Sequence, residues 1–159
     1  MSTEVLQANG PAEFVPTKLL LHADGADGST SFSDSSTFAR PVTAVGSAQV
    51  DTAQSKFGGA SGLFDGTGDY LSLSDSADWD VGTGDFTIDC WVRFAAVGSY
   101  ANIIARGTTD IRWLARSNSV QLLVMGNVKF DVVPGLTADT WYHFEACRAS
   151  GTLRMFING

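Results

Sequence analysis

The sequence predicts an all-β protein, an antiparallel β-sandwich of jelly-roll type. Three observations carry this. The stretch Phe86–Phe94 alternates strictly, with Phe86, Ile88, Cys90, Val92 and Phe94 on one face and Thr87, Asp89, Trp91 and Arg93 on the other, the pattern of a strand with one face in a core. Beyond Phe94, short apolar runs follow one another at close intervals, separated by turn signals, which is how sandwiches and jelly rolls read. The composition agrees. Seventeen Gly with many Ser and Thr favour strands and tight turns over helices, and no window shows sustained helical periodicity with caps.

In chain order, residues 1–16 read as an extended polar arm punctuated by Pro11 and Pro16. Thr17–Ala23 contains Leu19, Leu20 and Leu21 in a row, a strand expected to be covered on both faces. Asp24–Ser36 is a turn-rich acidic loop, Val42–Val50 a weak strand, and Gln54–Gly59 a turn. Ala60–Phe64 and Tyr70–Leu73 flank the turn Asp65-Gly66-Thr67-Gly68-Asp69, and Ser74–Gly84 loops into Phe86–Phe94. The remaining strands are Ala101–Ala105, Ile111–Ala115, Val120–Val124, Val128–Val132, Trp141–Ala149 and Leu153–Ile157. Gly107, Ser117-Asn118, Gly126-Asn127, Pro134-Gly135 and Ser150-Gly151 mark the turns between them.

At 159 residues the chain is most simply one domain, and its hydrophobic share of 44% is ample for a core. The formal net charge of −7 disfavours nucleic acid and anionic membranes as partners. No apolar run approaches membrane-spanning length. The first residues carry neither the basic segment nor the apolar segment of a secretion signal, so synthesis in a cytoplasm is expected. Cys90 and Cys147 both fall in strands. They are read as free thiols rather than as a sheet-spanning disulfide, and their spacing matches no metal motif.

Four landmarks resemble the laminin G-like, concanavalin A-like family of jelly rolls. Leu20-Leu21-His22-Ala23-Asp24-Gly25 is similar to its opening strand and turn, and Phe57–Gly66 to its glycine-rich strand. Asp85-Phe86-Thr87-Ile88-Asp89-Cys90-Trp91-Val92 resembles its Phe-Thr-Ile-x-x-Trp-Val strand. Trp141-Tyr142-His143-Phe144, with Leu153–Gly159, resembles its Trp-x-His strand and the hairpin ending in Asn-Gly. The resemblance spans residues 17–159 and implies a domain that binds or assembles. Family members continue past that Asn-Gly turn, so the jelly roll is expected to lack its last strands here, with Leu153–Ile157 left as an edge. A longer product, strands donated by a neighbouring chain, or closure by the N-terminal arm would each complete it.

The glucanase branch of the fold works with glutamates two or four residues apart on one strand. Glu145 has no such partner; Asp89, flanked by Asp85, is a possible carboxylate, yet Asp85 lies at the strand start and serves a turn equally well, so no enzyme is expected. Of the four tryptophans, Trp113 between Arg112 and Arg116 is the expected exposed contact, fitting a glycan, an acidic partner or an assembly interface. The resemblance implies a calcium ion near the first acidic loop, with Asp24 and Asp34 as ligands. The alternative is that these residues make turns. The missing secretion signal, the extended arm and a fold that decorates virions in other systems point to a phage tail, fibre or capsid-decoration module. Such a module would be homo-oligomeric and would contact other virion proteins and cell-surface carbohydrate. The alternative is an extracellular carbohydrate-binding accessory domain of a bacterial enzyme or adhesin.

Overall fold

The computed structural model describes residues 16–98, 100–107, 111–116 and 119–159. The proposed arm at 1–16 lies outside them except for Pro16. Eleven strands are present among the described residues: β1 Val42–Val45, β2 Gln49–Asp51, β3 Ser61–Leu63, β4 Tyr70–Leu73, β5 Phe86–Arg93, β6 Ala101–Arg106, β7 Ile111–Arg116, β8 Ser119–Val124, β9 Asn127–Val132, β10 Trp141–Ala149 and β11 Thr152–Ile157. The only helical piece among them is a 3-10 turn at Ala77–Trp79. All pairings are antiparallel.

Two layers form the sandwich. One sheet is ordered β11-β10-β5, the other β6-β7-β8-β9. Between them lie Ile111, Trp113, Val120, Leu122, Val124, Tyr142, Phe144 and Ala146, all buried. The β5 residues Phe86, Ile88, Cys90 and Val92 pack against this core with Phe94, so the alternation read from the sequence is the inward face of the sheet. Phe144 is the hub, with edge-to-face contacts to Phe94 at 6.3 Å and Trp113 at 5.8 Å. Trp113 and Phe144 rank among the largest side chains burying almost completely, which is where hydrophobic stabilisation concentrates.

The first half of the chain forms a smaller pack around Phe32, Val50 and Ala60. Two expectations fail here. The Val42–Val50 strand is broken into β1 and β2. Gly46 takes φ +73, and the Asp69 carboxylate accepts the Ser47 N–H at 2.6 Å and the Asp65 N–H at 2.8 Å. A Cβ on Gly46 would sit 2.3 Å from that carboxylate, so only glycine lets the two pieces kink together. Thr17–Ala23 is not a ladder strand but carries a single bridge, Leu21 to Asp34. Its Leu20 N–H goes to the Asp34 side chain at 2.9 Å instead of to a neighbouring strand, and Leu20 is 40% exposed.

Cys90 and Cys147 are free. Cys90 pairs in register with Phe144, and Cys147 with Thr87. Side chains alternate along a strand, so Cys90 points into the core and Cys147 points out of it. Burial, then the Asp89 charge, pushes the Cys90 thiol up to about 12.

Candidate functional site

The outward face of β5 and β10 gathers the aromatic and polar groups. Antiparallel register sets His143 opposite Trp91, Trp141 opposite Arg93 and Glu145 opposite Asp89, and directly opposed side chains lie within contact of one another. The His143 imidazole stacks on the Trp91 indole, centroids 5.1 Å apart and planes at 30°. From the turn after β2, Phe57 meets the same indole edge-on at 5.6 Å and 86°. Lys56 sets its ammonium 4.3 Å from the Trp91 centroid, within the range of a cation–π contact.

Asn158 holds the His143 backbone, donating its own backbone N–H to the His143 carbonyl at 2.9 Å and accepting the His143 backbone N–H on Oδ1 at 2.9 Å. The His143 Nε2 lies 3.2 Å from Asp89 Oδ2. An ionised carboxylate only accepts, so Nε2 carries the proton. Lys56, Trp91, Trp141, His143, Asn158 and Gly159 line an open concavity of about 500 Å³. Trp91 is 37% exposed. The arrangement offers indole surface with a few polar groups at its margin, which suits the apolar face and hydroxyl rim of a sugar ring.

A family profile described as Concanavalin A-like lectin/glucanases superfamily matches residues 65–159, more than half of the chain. The chain belongs to this superfamily. No curated protein and no solved structure matches it. The matched span includes β5 and β10, while Lys56 and Phe57 come from outside it.

The residues expected from sequence fall elsewhere. Trp113 is 1% exposed and lies in the core, so it cannot stack on a ligand. Arg112 and Arg116 are exposed, on the opposite side of β7. The three were read as one patch, but adjacent residues on a strand face opposite ways. Arg112 Nε donates to Asn102 Oδ1 at 2.8 Å, and the Arg116 guanidinium lies 5.3 Å from the Tyr100 ring centroid. The signal in the sequence for the cluster on β5 and β10 was Trp91 itself, an indole on the non-core face of a strictly alternating strand.

The calcium expectation also fails at Asp34. Its Oδ1 accepts from the N–H groups of Leu20 and Ser36, both at 2.9 Å. Its Oδ2 accepts from the Ser36 hydroxyl at 2.8 Å and the Arg40 N–H at 2.9 Å. Four donors fill the four lone-pair positions of a carboxylate, leaving none for a cation that needs six to eight oxygens. Burial pushes the Asp34 carboxyl up, but the N–H groups of Arg40, Leu20 and Ser36 and the Ser36 hydroxyl outweigh it and hold it well below the usual carboxylate range. Asp24 is exposed, with an oxygen close against Gly58. No group of three or more His, Cys, Asp or Glu side chains that could hold a metal occurs among the described residues. Two other acids of this half make turns, Asp65 accepting the Thr67 N–H at 2.6 Å and Asp51 the Ala53 N–H at 3.1 Å, while Asp27 reaches across to accept the Thr52 N–H at 3.1 Å.

Proposed function

We propose that the domain is a non-catalytic carbohydrate-binding module and that its ligand lies along the Trp91–His143–Trp141 face. The observation that carries this is the open concavity on the outward side of β5 and β10, lined by two indoles, an imidazole, an amide and an ammonium. Its openness to one side fits a sugar unit within a longer chain better than a small enclosed metabolite. Membership in a lectin/glucanase superfamily supports the same ligand class.

A hydrolytic reading has one observation in its favour, since Asp89 and Glu145 are cross-strand partners on this face and retaining glycosidases use two close carboxyl groups. Against it, neither carboxylate lines the concavity. A general acid of this class sits in an apolar pocket, whereas the Asp89 side chain is 58% exposed and held by His143. Reducing-sugar release that disappears in Asp89→Asn would establish hydrolysis in place of simple binding.

The setting we favour is a virion, where copies on a tail, fibre or capsid decoration add weak contacts by multivalency and also touch neighbouring virion proteins. An accessory domain of an extracellular enzyme or adhesin presents the same face singly. Glycan-array binding by the purified domain, compared with Trp91→Ala, tests the carbohydrate reading: loss of all binding in the variant is expected, and unchanged binding overturns it. Sedimentation separates the settings, an oligomer favouring the particle and a monomer the accessory domain.

A further inference from the structure

We infer that Lys56 sets the charge class of the ligand at this face, selecting glycans that carry an anionic group, a uronate carboxylate or a sulfate. This rests on the carbohydrate reading above and deepens it. The Trp91 indole already has His143 stacked on it and Phe57 against its edge. The Lys56 ammonium stands over the same ring at 4.3 Å and 5.8 Å from the Phe57 centroid. A sugar ring reaching Trp91 therefore meets this ammonium first.

The ammonium has aromatic partners but no carboxylate within ion-pair distance among the described residues. Lys18 and Arg40 share Asp78, Arg93 holds Asp139, and Arg106 holds Asp75 and Asp80. In a chain of net charge −7, Lys56 is thus an unneutralised cation at the lip of the concavity. On the paired strands, Asp89 and Glu145 stand two residues along from Trp91 and His143, a separation of about 7 Å on a strand. Asp89 is turned to the His143 imidazole. The face is therefore polarised, cationic at Lys56 and acidic at the Asp89–Glu145 pair, and an anionic sugar has one favourable orientation on it.

The consequence differs with ligand charge. A neutral sugar that takes the indole displaces the ammonium and gives nothing back for the lost cation–π contact. An anionic sugar keeps the displaced ammonium as a charge-assisted ion pair at its own carboxylate or sulfate.

The test is calorimetric titration of the folded domain with three oligosaccharides of equal length: neutral, uronate-bearing and sulfated. Wild type is expected to prefer an anionic arm, and whichever arm is preferred identifies the source of the charge. Lys56→Ala is expected to lose about tenfold on that arm and to gain about threefold on the neutral one. The salt dependence of anionic binding should flatten in the same variant. Equal loss on all three arms in Lys56→Ala, or a wild-type preference for the neutral arm, overturns the charge assignment, while loss of all binding in Trp91→Ala still upholds the carbohydrate face. Unchanged binding in Trp91→Ala removes the face itself and the inference with it. Circular dichroism of each variant confirms folding.

Discussion

Replacing Trp113 separates a core residue from a ligand platform. The side chain is 1% exposed and makes an edge-to-face contact with Phe144 at 5.8 Å and 75°. A buried aromatic removes about 150–250 Å² from water, which at about 25 cal/mol per Å² corresponds to about 4–6 kcal/mol. That is an upper figure, because unfolded chains already bury some apolar surface, and core Trp→Ala substitutions cost about 3–5 kcal/mol. Trp113→Ala should therefore consume much of the stability of a domain whose total lies at about 5–15 kcal/mol. Trp113→Phe behaves differently. It removes two ring carbons, costing about 1.6 kcal/mol at about 0.8 kcal/mol per buried carbon. It also removes the indole N–H, which is buried without a hydrogen-bond partner among the described residues and is unfavourable by about 1–3 kcal/mol. The two nearly cancel, so Trp113→Phe should lie within about 1.5 kcal/mol of wild type. Urea unfolding followed by circular dichroism measures both. A Trp113→Ala loss under about 0.5 kcal/mol, the range of ordinary surface substitutions, would refute the core placement. A Trp113→Phe loss equal to that of Trp113→Ala would refute the argument about the N–H.

Asp34, with its carboxyl held low in the folded state, supplies stability above the unfolded value of 3.8 and loses it as the pH falls through the folded value. Asp34→Ala should be less stable than wild type at pH 7, and its urea midpoint should fall less between pH 5 and pH 2. Parallel curves would exclude that linkage. The thiols should alkylate unequally at pH 8: Cys147, on the outward face, modifies first, and Cys90 waits on opening of the core. Peptide mass spectrometry after timed iodoacetamide quenching reads the order. Equal rates, or a mass lower by two hydrogens before alkylation, would contradict the register of β5 and β10.

The strands of the second half were legible because each carries its own signal. Phe86–Phe94 alternates at period two, and Tyr142, Phe144 and Ala146 do the same in β10. The first half was less legible for a local reason: its backbone is satisfied by side chains in place of a ladder. Leu20, Ser36 and Arg40 give their N–H groups to one carboxylate, that of Asp34. Three leucines in a row promise a covered strand, and nothing in an apolar run shows that an aspartate fourteen residues on will take its donor. The break at Gly46 has the same origin, since the residue that locks it, Asp69, lies across the ribbon.

The site was illegible for a different reason. Arg112, Trp113 and Arg116 are near in sequence and were grouped on that account, yet a strand sends neighbours to opposite faces. Trp91 and His143 are fifty-two residues apart and meet because β5 and β10 pair in one register. A slip of one residue would turn every side chain of β10 over. It would put His143 and Glu145 in the core and Phe144 in water, and that cost enforces the register. The pressure that buries Phe144 at 0% exposure therefore also holds His143 against Trp91. The proposed ligand face is thus specified from the inside, by the core residues that set the register of β5 and β10. Lys56 and Phe57 come from a turn in the other half of the chain and are not held by that register. On the proposed carbohydrate face, this makes Lys56 the residue through which ligand charge would be chosen independently of the register that sets the scaffold.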